Sequence, residues 1–334
     1  MSATTAHAAQ LCIDALNTTA TVHSSPLYTV MSMANTLESS RQAWVIRGQS
    51  HSRRVGNWPS WFARNTAEKP LLYLHSAHSS AQLSALSDAT QQRGILCNDT
   101  ENQPSAWPKG TQPSLPLWLA THPRCTPYDP ASGEEARTIV LAGLHTLYVE
   151  GEPGFYYLAL HDQQSVAVLS TQDRQDALKG MYPITRDHTG DVRLLGAGSA
   201  LEDVLHAARL LKQDWDITAQ VWSCPSYTRL AREAAVAERW NRLHPTAPKR
   251  SCHLRECLAT NAAPVIAVTG YPQAIVDQLA GYVDAQFVPL GAGSVQAAAP
   301  SRYWIVVMAL RALADEGRIA LQQVETAMAR YSLQ

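Results

Sequence analysis

Few residues of this chain combine a chemically useful type with a useful spacing. Cys252-His253 and Cys257 place two sulfurs and an imidazole close together, which is half of the ligand set that a structural zinc ion needs. No second ligand pair follows at metal-site spacing, so the sequence predicts reduced thiols rather than a metal centre. His75 and His78 follow a predicted strand without an acidic or cysteine partner nearby, and we expect them to be solvated loop histidines.

A glycine-containing turn, Gly196-Ala197-Gly198-Ser199, lies between a predicted strand and a predicted helix. Backbone amides at such a turn can hold an anion. However, Leu201 stands where a dinucleotide-binding pattern has its third glycine, and no acidic residue about twenty residues later completes that pattern. The sequence therefore favours a tight turn in which Ser199 caps the helix.

Arg47, Arg53 and Arg54 lie close in sequence to Trp58 and Trp61. Basic and aromatic side chains together are typical of protein interfaces, so we expect this cluster to contact a partner rather than a small ligand. The chain has no Gly-x-Ser-x-Gly nucleophile elbow, which argues against a serine hydrolase.

The elements that position these residues alternate between strand and helix from Val192 onward. This pattern predicts a parallel or mixed sheet covered by helices, and therefore the α/β class. The predicted strands are 192–195, 217–222, 265–268 and 286–290. The predicted helices are 199–213, 226–243, 272–283, 303–316 and 321–331.

The first half of the chain is less regular. Strands are predicted at Leu71–Leu74 and Phe155–Leu160, with a helix at Glu134–Val149. Seven prolines fall between Pro104 and Pro130, so this segment is expected to be an extended, loop-like connection.

Size and composition limit the classes of protein to which the chain can belong. Its 334 residues suffice for about two domains. A formal charge of -1 favours neither nucleic acid nor an anionic membrane as a partner. The start of the chain has no leader pattern and no apolar run reaches the roughly 18 residues of a membrane span, so a cytoplasmic location is expected.

Two strings in the second half carry a resemblance to a known family. They are Val221-Trp222-Ser223-Cys224-Pro225-Ser226-Tyr227-Thr228-Arg229-Leu230 and Glu238-Arg239-Trp240-Asn241-Arg242-Leu243-His244-Pro245. They resemble the C-terminal domain of the homodimeric, bacterial-type decarboxylating first component of the pyruvate dehydrogenase complex, which uses thiamine diphosphate.

Further similar strings lie upstream, in the order in which that family has them. They are Arg124-Cys125-Thr126-Pro127-Tyr128-Asp129-Pro130-Ala131, Gly154-Phe155-Tyr156-Tyr157-Leu158 and Leu178-Lys179-Gly180-Met181-Tyr182. Pro26-Leu27-Tyr28-Thr29-Val30-Met31-Ser32-Met33 is similar to a segment that we take to be a strand of the family. The resemblance implies two transketolase-like domains, each a mostly parallel or mixed sheet flanked by helices. Residues 1–186 would form a degenerate pyrimidine-binding domain and residues 187–334 a transketolase C-terminal-like domain.

The chemistry of that family needs groups that this chain lacks. A Gly-Asp-Gly run holds the diphosphate and magnesium in the family, and the chain has no such run. The chain thus resembles a truncated relative. A glutamate activates the aminopyrimidine, and the resemblance places Ala3 at that position, with Asp14 the nearest carboxylate. The aromatic side chains that stack on the pyrimidine are replaced by Met31 and Ala34.

Two further stretches differ from the family. A glycine-rich stretch with active-site histidines corresponds to Ser79–Asn98, which contains no histidine. The loop after the last strand is replaced by Gly291-Ala292-Gly293-Ser294-Val295-Gln296.

The sequence therefore assigns no catalytic, cofactor-binding or metal-binding residue. We expect a non-catalytic relative with a binding or regulatory role, as a homodimer or as a heterodimer with a full-length decarboxylating subunit. No cofactor, nucleic acid or membrane partner is expected. The alternative is a half-enzyme of a split 2-oxo acid dehydrogenase, with thiamine diphosphate and magnesium bound once a separate diphosphate-binding chain completes the site. Only then would the chain act as an acetyl-transferring, pyruvate dehydrogenase-type oxidoreductase.

Overall fold

The computed structural model of the protein describes residues 3–48, 69–89, 93–165, 167–186 and 189–333. The chain divides into two units, Met1–Arg174 and Gln175–Gln334. The short strand Tyr182–Pro183 pairs with Ser223 and Trp222, so residues before 187 already belong to the second sheet. The boundary therefore precedes the predicted division between residues 186 and 187.

The first unit is built on a parallel sheet flanked by helices. Its regular elements are α1 (Ala3–Thr19), α2 (Pro26–Ser40), β1 (Trp44–Arg47), β2 (Leu71–His75), α3 (Ser80–Ala89), β3 (Gly94–Asn98), α4 (Ser114–Thr121), β4 (Cys125–Tyr128), α5 (Gly133–Leu144), β5 (Phe155–Ala159) and α6 (Thr171–Lys179), which ends in the second unit. Among the described residues the strand order is β1-β2-β3-β5-β4, and every pairing is parallel. Strands β3 and β5 are buried throughout, as expected for the centre of a sheet covered on both faces.

The segment that begins at Pro26 is helical, so the prediction of a strand over Pro26–Met33 is wrong. Ser25 precedes the helix and its hydroxyl accepts a hydrogen bond from the amide of Tyr28 at 3.4 Å. Pro26 occupies the first helical position, where no amide donor is required. The buried apolar side chains follow helical rather than alternating spacing, at Val30, Met33, Ala34 and Leu37.

The proline-rich segment Pro104–Pro130 is also more regular than predicted, because it contains α4 and β4. Pro113 and Pro116 lie at the start of α4, where the backbone amides have no partner within the helix. Pro127 lies in β4, and that strand is at the edge of the sheet, where a missing donor is tolerated. The prolines are therefore compatible with both elements.

The second unit has a mixed sheet. Its elements are β6 (Tyr182–Pro183), β7 (Val192–Gly196), α7 (Ala200–Trp215), β8 (Ala219–Ser223), α8 (Tyr227–Leu243), α9 (His253–Leu258), β9 (Val265–Pro272), α10 (Ala274–Asp277), β10 (Phe287–Ala292), α11 (Arg302–Asp315) and α12 (Leu321–Arg330). In the described part of the chain the order is β10-β9-β7-β8-β6, and only β6 is antiparallel to its neighbour. The predicted α/β fold with parallel and mixed sheets is confirmed.

One helix of the second unit is much shorter than predicted. Pro272 ends β9 instead of opening a helix to residue 283, and only α10 and a 3-10 turn at Ala280–Tyr282 follow it. Strand β9 continues past its predicted end through Thr269-Gly270-Tyr271 to Pro272. None of the helices in the described ranges is both long enough and apolar enough to cross a bilayer.

Candidate functional site

Polar side chains gather where the parallel strands of the first unit end. His75 is the last residue of β2 and Asn98 the last of β3, while Asp129 follows β4 and His161 lies just after β5. Ligands of open α/β sheets bind outside the carboxyl ends of the strands. This edge, called the carboxyl edge below, is therefore the first place to look for a site.

A buried lysine occupies the carboxyl edge. The ammonium of Lys109 lies 2.6 Å from Oε2 of Glu101 and 3.1 Å from Oδ1 of Asp129, and the lysine side chain is 2% exposed. Burial lowers the pKa of Lys109, but the two carboxylates outweigh it, so this pKa lies above its ordinary value. Burial has the opposite effect on a carboxyl group and raises the pKa of Asp129 to about 6. The nearby ammonium lowers this pKa and offsets only part of the rise. We call these three residues the lysine triad.

The lysine triad was not predicted from the sequence. Glu101 and Lys109 belong to a connection with two 3-10 turns, Thr100–Asn102 and Pro108–Gly110, which brings the ammonium to Asp129 beyond the end of β4. In the sequence Lys109 looks like an ordinary turn residue. No local pattern reports that it is buried.

The two histidines of this edge are buried and neutral. His75 is 4% exposed, its ring nitrogens have no hydrogen-bond partner among the described residues, and burial lowers its pKa to about 3. Burial lowers the pKa of His161 to about 4, and its Nε2 lies 3.1 Å from the carbonyl oxygen of Pro130. A general acid or base works best with a pKa near the working pH, so neither imidazole suits proton transfer near pH 7.

The prediction of solvated loop histidines is wrong for His75, which ends a strand in the interior. His78 is partly buried, and its Nδ1 lies 2.7 Å from the carbonyl oxygen of Gly110. Local sequence gave no sign of this burial, because the covering segment 99–113 follows later in the chain.

Asn98 has a structural role at the same edge. Its amide nitrogen donates to the carbonyl of Ala77 at 2.9 Å and to the hydroxyl of Tyr157 at 2.8 Å. Its side-chain oxygen accepts from the backbone amide of Ala77 at 3.0 Å. The side chain thus holds the turn after β2, and its hydrogen bonds are made within the protein.

The positions compared with the family in the first half of the chain lie on helices and one strand of the first unit. Ala3 is the first residue of α1 and Asp14 lies on the same helix. On α2, Ala34 is fully buried while Met31 is 37% exposed. Residues Ser79–Asn98 supply α3 and β3 rather than a glycine-rich loop.

Of the predicted basic and aromatic cluster, only Arg47 can be placed. Its guanidinium lies 3.0 Å from Oε1 of Glu38 and donates to the amide oxygen of Asn35 at 2.9 Å. Arg53, Arg54, Trp58 and Trp61 lie outside the described residues. The predicted partner contact therefore stays a prediction.

In the second unit, backbone amides at the turn that begins with Gly196 form hydrogen bonds within the turn itself. The amides of Ala200 and Leu201 donate to the carbonyls of Ala197 at 3.2 Å and Gly198 at 3.1 Å, which leaves them satisfied without an anion. Gly198 has a φ of 53°, and a Cβ on Gly196 would lie 2.9 Å from the Cα of Leu201. The tight turn is confirmed, but Ser199 has helical backbone angles and makes no capping bond, so that part of the prediction is wrong.

The cysteine and histidine pair of α9 is also internal. Nε2 of His253 lies 2.8 Å from the carbonyl oxygen of Met181, and Sγ of Cys257 lies 3.5 Å from the same nitrogen. Burial raises the pKa of Cys257 to about 12, so its sulfur is a thiol at neutral pH. Within the described ranges, no three His, Cys, Asp or Glu side chains are grouped so that they could hold a metal ion.

The string Glu238 to Pro245 closes a loop. Trp240 stacks on His244 with ring centroids 3.7 Å apart, and the guanidinium carbon of Arg250 lies 3.5 Å from the Trp240 ring centroid. The side-chain amide of Asn241 donates to the carbonyl of Arg250 at 3.0 Å and accepts from its amide at 2.8 Å. The string that carries the resemblance therefore has a structural role here.

The fold of the chain is similar to that of transketolases. Residues 180–293 match the family described as "Transketolase-like TK C-terminal domain". A split-gene transketolase in the form of an inactive β4 tetramer has a TM-score of 0.52 at 13% identity, covering 84% of this chain and 95% of that chain. A transketolase from Pichia stipitis has a TM-score of 0.55 at 13% identity, covering 92% of this chain and 47% of that chain. At these identities, the two structures show the fold.

The sequence comparisons identify the family more closely. The pyruvate dehydrogenase E1 component of Cupriavidus necator is 34% identical over 259 residues, which are 72% of this chain and 29% of that protein. The E1 component of Pseudomonas aeruginosa is 30% identical over 307 residues, 84% of this chain and 35% of that protein. The chain is a relative of the pyruvate dehydrogenase E1 component, as the resemblance predicted, and spans about a third of the length of these relatives.

Proposed function

We propose that the chain is a non-catalytic member of the pyruvate dehydrogenase E1 family that acts by binding, as a dimer. One observation carries the proposal: the lysine triad lies at the carboxyl edge of the first sheet. A ligand placed at that edge would have to displace a buried ammonium from two carboxylates. Breaking such a buried pair typically costs about 3–5 kcal/mol.

The remaining groups of this edge support the same proposal. His75 and His161 are neutral and buried, and Asn98 is engaged with the protein itself. Where the resemblance requires a glutamate, the chain carries Ala3, and a methyl group cannot accept a hydrogen bond from an aminopyrimidine. These observations support the expectation that the chain alone does not bind thiamine diphosphate.

The dimer is proposed from the relatives and from symmetry. The split-gene transketolase is named as an inactive β4 tetramer, and this chain covers 95% of its length. Most soluble oligomers are closed and symmetric, so a homodimer is the simplest assembly. A heterodimer with a full-length E1 subunit would use the same inherited surface. A cytoplasmic location belongs to this proposal and stays a prediction.

The same split-gene chain favours one alternative, a half-enzyme completed by a separate diphosphate-binding chain. In that case the partner would supply the phosphate and magnesium ligands. This chain would supply the pyrimidine side of the site, and the lysine triad would have to open.

Calorimetric titration with thiamine diphosphate and magnesium separates the two functions. The chain is titrated alone, then mixed with a full-length E1 subunit from the same cell, which also serves alone as the positive control. Light scattering after gel filtration gives the mass of each sample. We expect no heat from the chain alone, a mixture that releases no more heat than the E1 subunit does, and a dimeric or mixed species on the column.

Three outcomes would overturn the proposal. Saturable cofactor binding by the chain alone would show a working pyrimidine site. Extra heat or extra decarboxylation in the mixture would establish the half-enzyme. A monomer that does not co-elute with the E1 subunit would refute binding through dimerisation.

A further inference from the structure

A cavity of about 600 Å³ opens in the second unit, where the parallel strands of its sheet begin. The residues that line it include Arg193, Ser251, Arg255, Glu256, Tyr282 and Asp284. Arg193 lies near the start of β7, and the other lining segments precede β9 and β10. Small-molecule sites usually measure about 300–1,000 Å³, so the volume suits a metabolite.

A buried guanidinium lies in the wall of this cavity. Arg193 is 1% exposed and donates to the carbonyls of Ala263 at 3.0 Å and Leu258 at 2.7 Å. These acceptors are neutral, and Arg193 forms no ion pair with any of the described carboxylates. Burial lowers the pKa of Arg193, and the negative charge of Glu316 partly opposes this without an ion pair between the two side chains. A buried charge without a counter-ion is costly, and an anion in the cavity would supply one.

Arg255 adds a second cation to the lining. Its Nε donates to the carbonyl of Tyr282 at 3.3 Å, and its Nη2 lies 3.8 Å from Oε1 of Glu238. This ion pair is long and partly exposed, so it stabilises the position of the guanidinium only weakly. A ligand can therefore compete with Glu238 for Arg255. Two guanidinium groups suit a carboxylate, which accepts several hydrogen bonds at once.

The same lining carries opposite charge where it meets solvent. Glu256 and Asp284 are both exposed, whereas Arg193 is buried. Negative charge at the opening repels polyanions such as nucleotides and attracts a cationic group. A ligand with a carboxylate at one end and an ammonium at the other would match both parts of the cavity.

We propose that this cavity binds a small amino acid, with its carboxylate on Arg193 and Arg255 and its ammonium toward Glu256 and Asp284. The proposal is independent of the proposed lack of catalysis, which rests on the lysine triad of the first unit, because every residue that lines the cavity belongs to the second unit. It concerns the end of that sheet opposite its carboxyl edge, away from the turn at Gly196.

Thermal unfolding of the full chain with each of the common amino acids, followed by titration calorimetry of any that bind, tests the proposal. We expect at least one amino acid to raise the Tm saturably, because a ligand that binds only the folded state stabilises it. Two matched analogues of that amino acid complete the panel, one without the ammonium and one without the carboxylate. Each is expected to bind at least about tenfold more weakly, as is common when a charged partner is lost.

Variants at exposed alanines locate the site without disturbing the core. Ala259 lines the cavity and is exposed, so Ala259→Trp is expected to fill it and abolish binding. Ala329→Trp places the same side chain on the exposed surface of α12 and is expected to leave binding unchanged. Circular dichroism confirms that both variants fold.

A second pair of variants tests the charges. Glu256→Gln combined with Asp284→Asn keeps size and polarity, and should weaken binding of the amino acid about tenfold without weakening the analogue that lacks an ammonium. The proposal is overturned if no amino acid changes the Tm, if binding survives Ala259→Trp, or if the analogue without the ammonium binds equally well.

Discussion

Replacing His75 by phenylalanine is expected to remove part of the acid sensitivity of the protein. The imidazole lies in the interior between the rings of Tyr73 and Tyr157, with centroids at 5.7 and 6.4 Å. Phenylalanine keeps a flat ring in this aromatic setting. It removes two ring nitrogens that have no hydrogen-bond partner in the part of the chain that the structure describes.

The magnitude follows from the difference in pKa between the unfolded and the folded chain. Burial lowers the pKa of His75 from 6.5 to about 3, so between these values the unfolded chain binds a proton that the folded chain does not. The stability that neutral His75 contributes is therefore fully present above pH 6.5 and is lost as the pH falls toward about 3. Each pH unit within the window is worth about 1.4 kcal/mol, which gives roughly 2 kcal/mol between pH 7 and pH 5.

Urea unfolding followed by far-ultraviolet circular dichroism at pH 7 and pH 5 measures this difference. The parent is expected to lose about 2 kcal/mol more than His75→Phe over that interval. His161, whose pKa is lowered to about 4, adds a similar loss, and Asp129, whose pKa is raised to about 6, acts in the opposite direction. Both groups are present in the two proteins, so the comparison isolates His75.

The control is His7→Phe, which makes the same change on the exposed surface of α1. It should follow the pH dependence of the parent, because that ring meets solvent in both the folded and the unfolded chain. Parallel pH profiles for the parent and His75→Phe would refute the inference that His75 is buried in its neutral form.

Two further predictions concern the packing of the first unit. Lys109→Met leaves the buried carboxylate of Asp129 and the partly buried carboxylate of Glu101 without their ammonium, and it is expected to lower the free energy of unfolding by about 3–5 kcal/mol in urea titrations. Lys179→Met, at a lysine that is 48% exposed, should cost under about 1 kcal/mol, and equal losses would contradict the burial argument. Gly133→Ala puts a Cβ onto the carbonyl oxygen of His23 and is expected to lower the Tm, at roughly 1–3 kcal/mol. Gly281→Ala, with no atom within 4 Å of its Cβ, should change stability by under about 0.5 kcal/mol, and similar Tm values for both alanine variants would count against the clash.

Regular elements were predictable where local pattern and tertiary environment agree. The run Val265–Val268 is apolar without interruption, and it lies in a central strand that is covered on both faces. A helix was also predicted at α11, and its residues Ile305 and Ala309 are fully buried. The sequence pattern and the packing give the same result in both elements.

The predictions failed where two local signals compete. Leu27 to Val30 contains aromatic and β-branched residues that favour a strand, but Ser25 and Pro26 form a helix start and the apolar spacing is helical. Between Pro104 and Pro130 the number of prolines suggested a loop. What matters is where each proline falls, and several lie at positions that need no amide donor.

The candidate site was the least predictable part. Glu101 and Asp129 lie eight and twenty residues from Lys109, on opposite sides of it in the sequence, and nothing local indicates that they meet. His75 was predicted to be solvated because the segment that covers it comes later in the chain. Trp240 and Asn241 stood out in the sequence, yet their contacts fix a loop rather than a ligand.

The lysine triad also restricts how this chain can evolve. Losing Lys109 first would leave a buried and a partly buried carboxylate without their ammonium, and losing either carboxylate first would leave a buried ammonium with half of its compensation. Each single substitution in the lysine triad is therefore expected to destabilise the protein. A replacement without loss of stability requires several substitutions together. We therefore expect the lysine triad to be kept as a unit among the descendants of this chain.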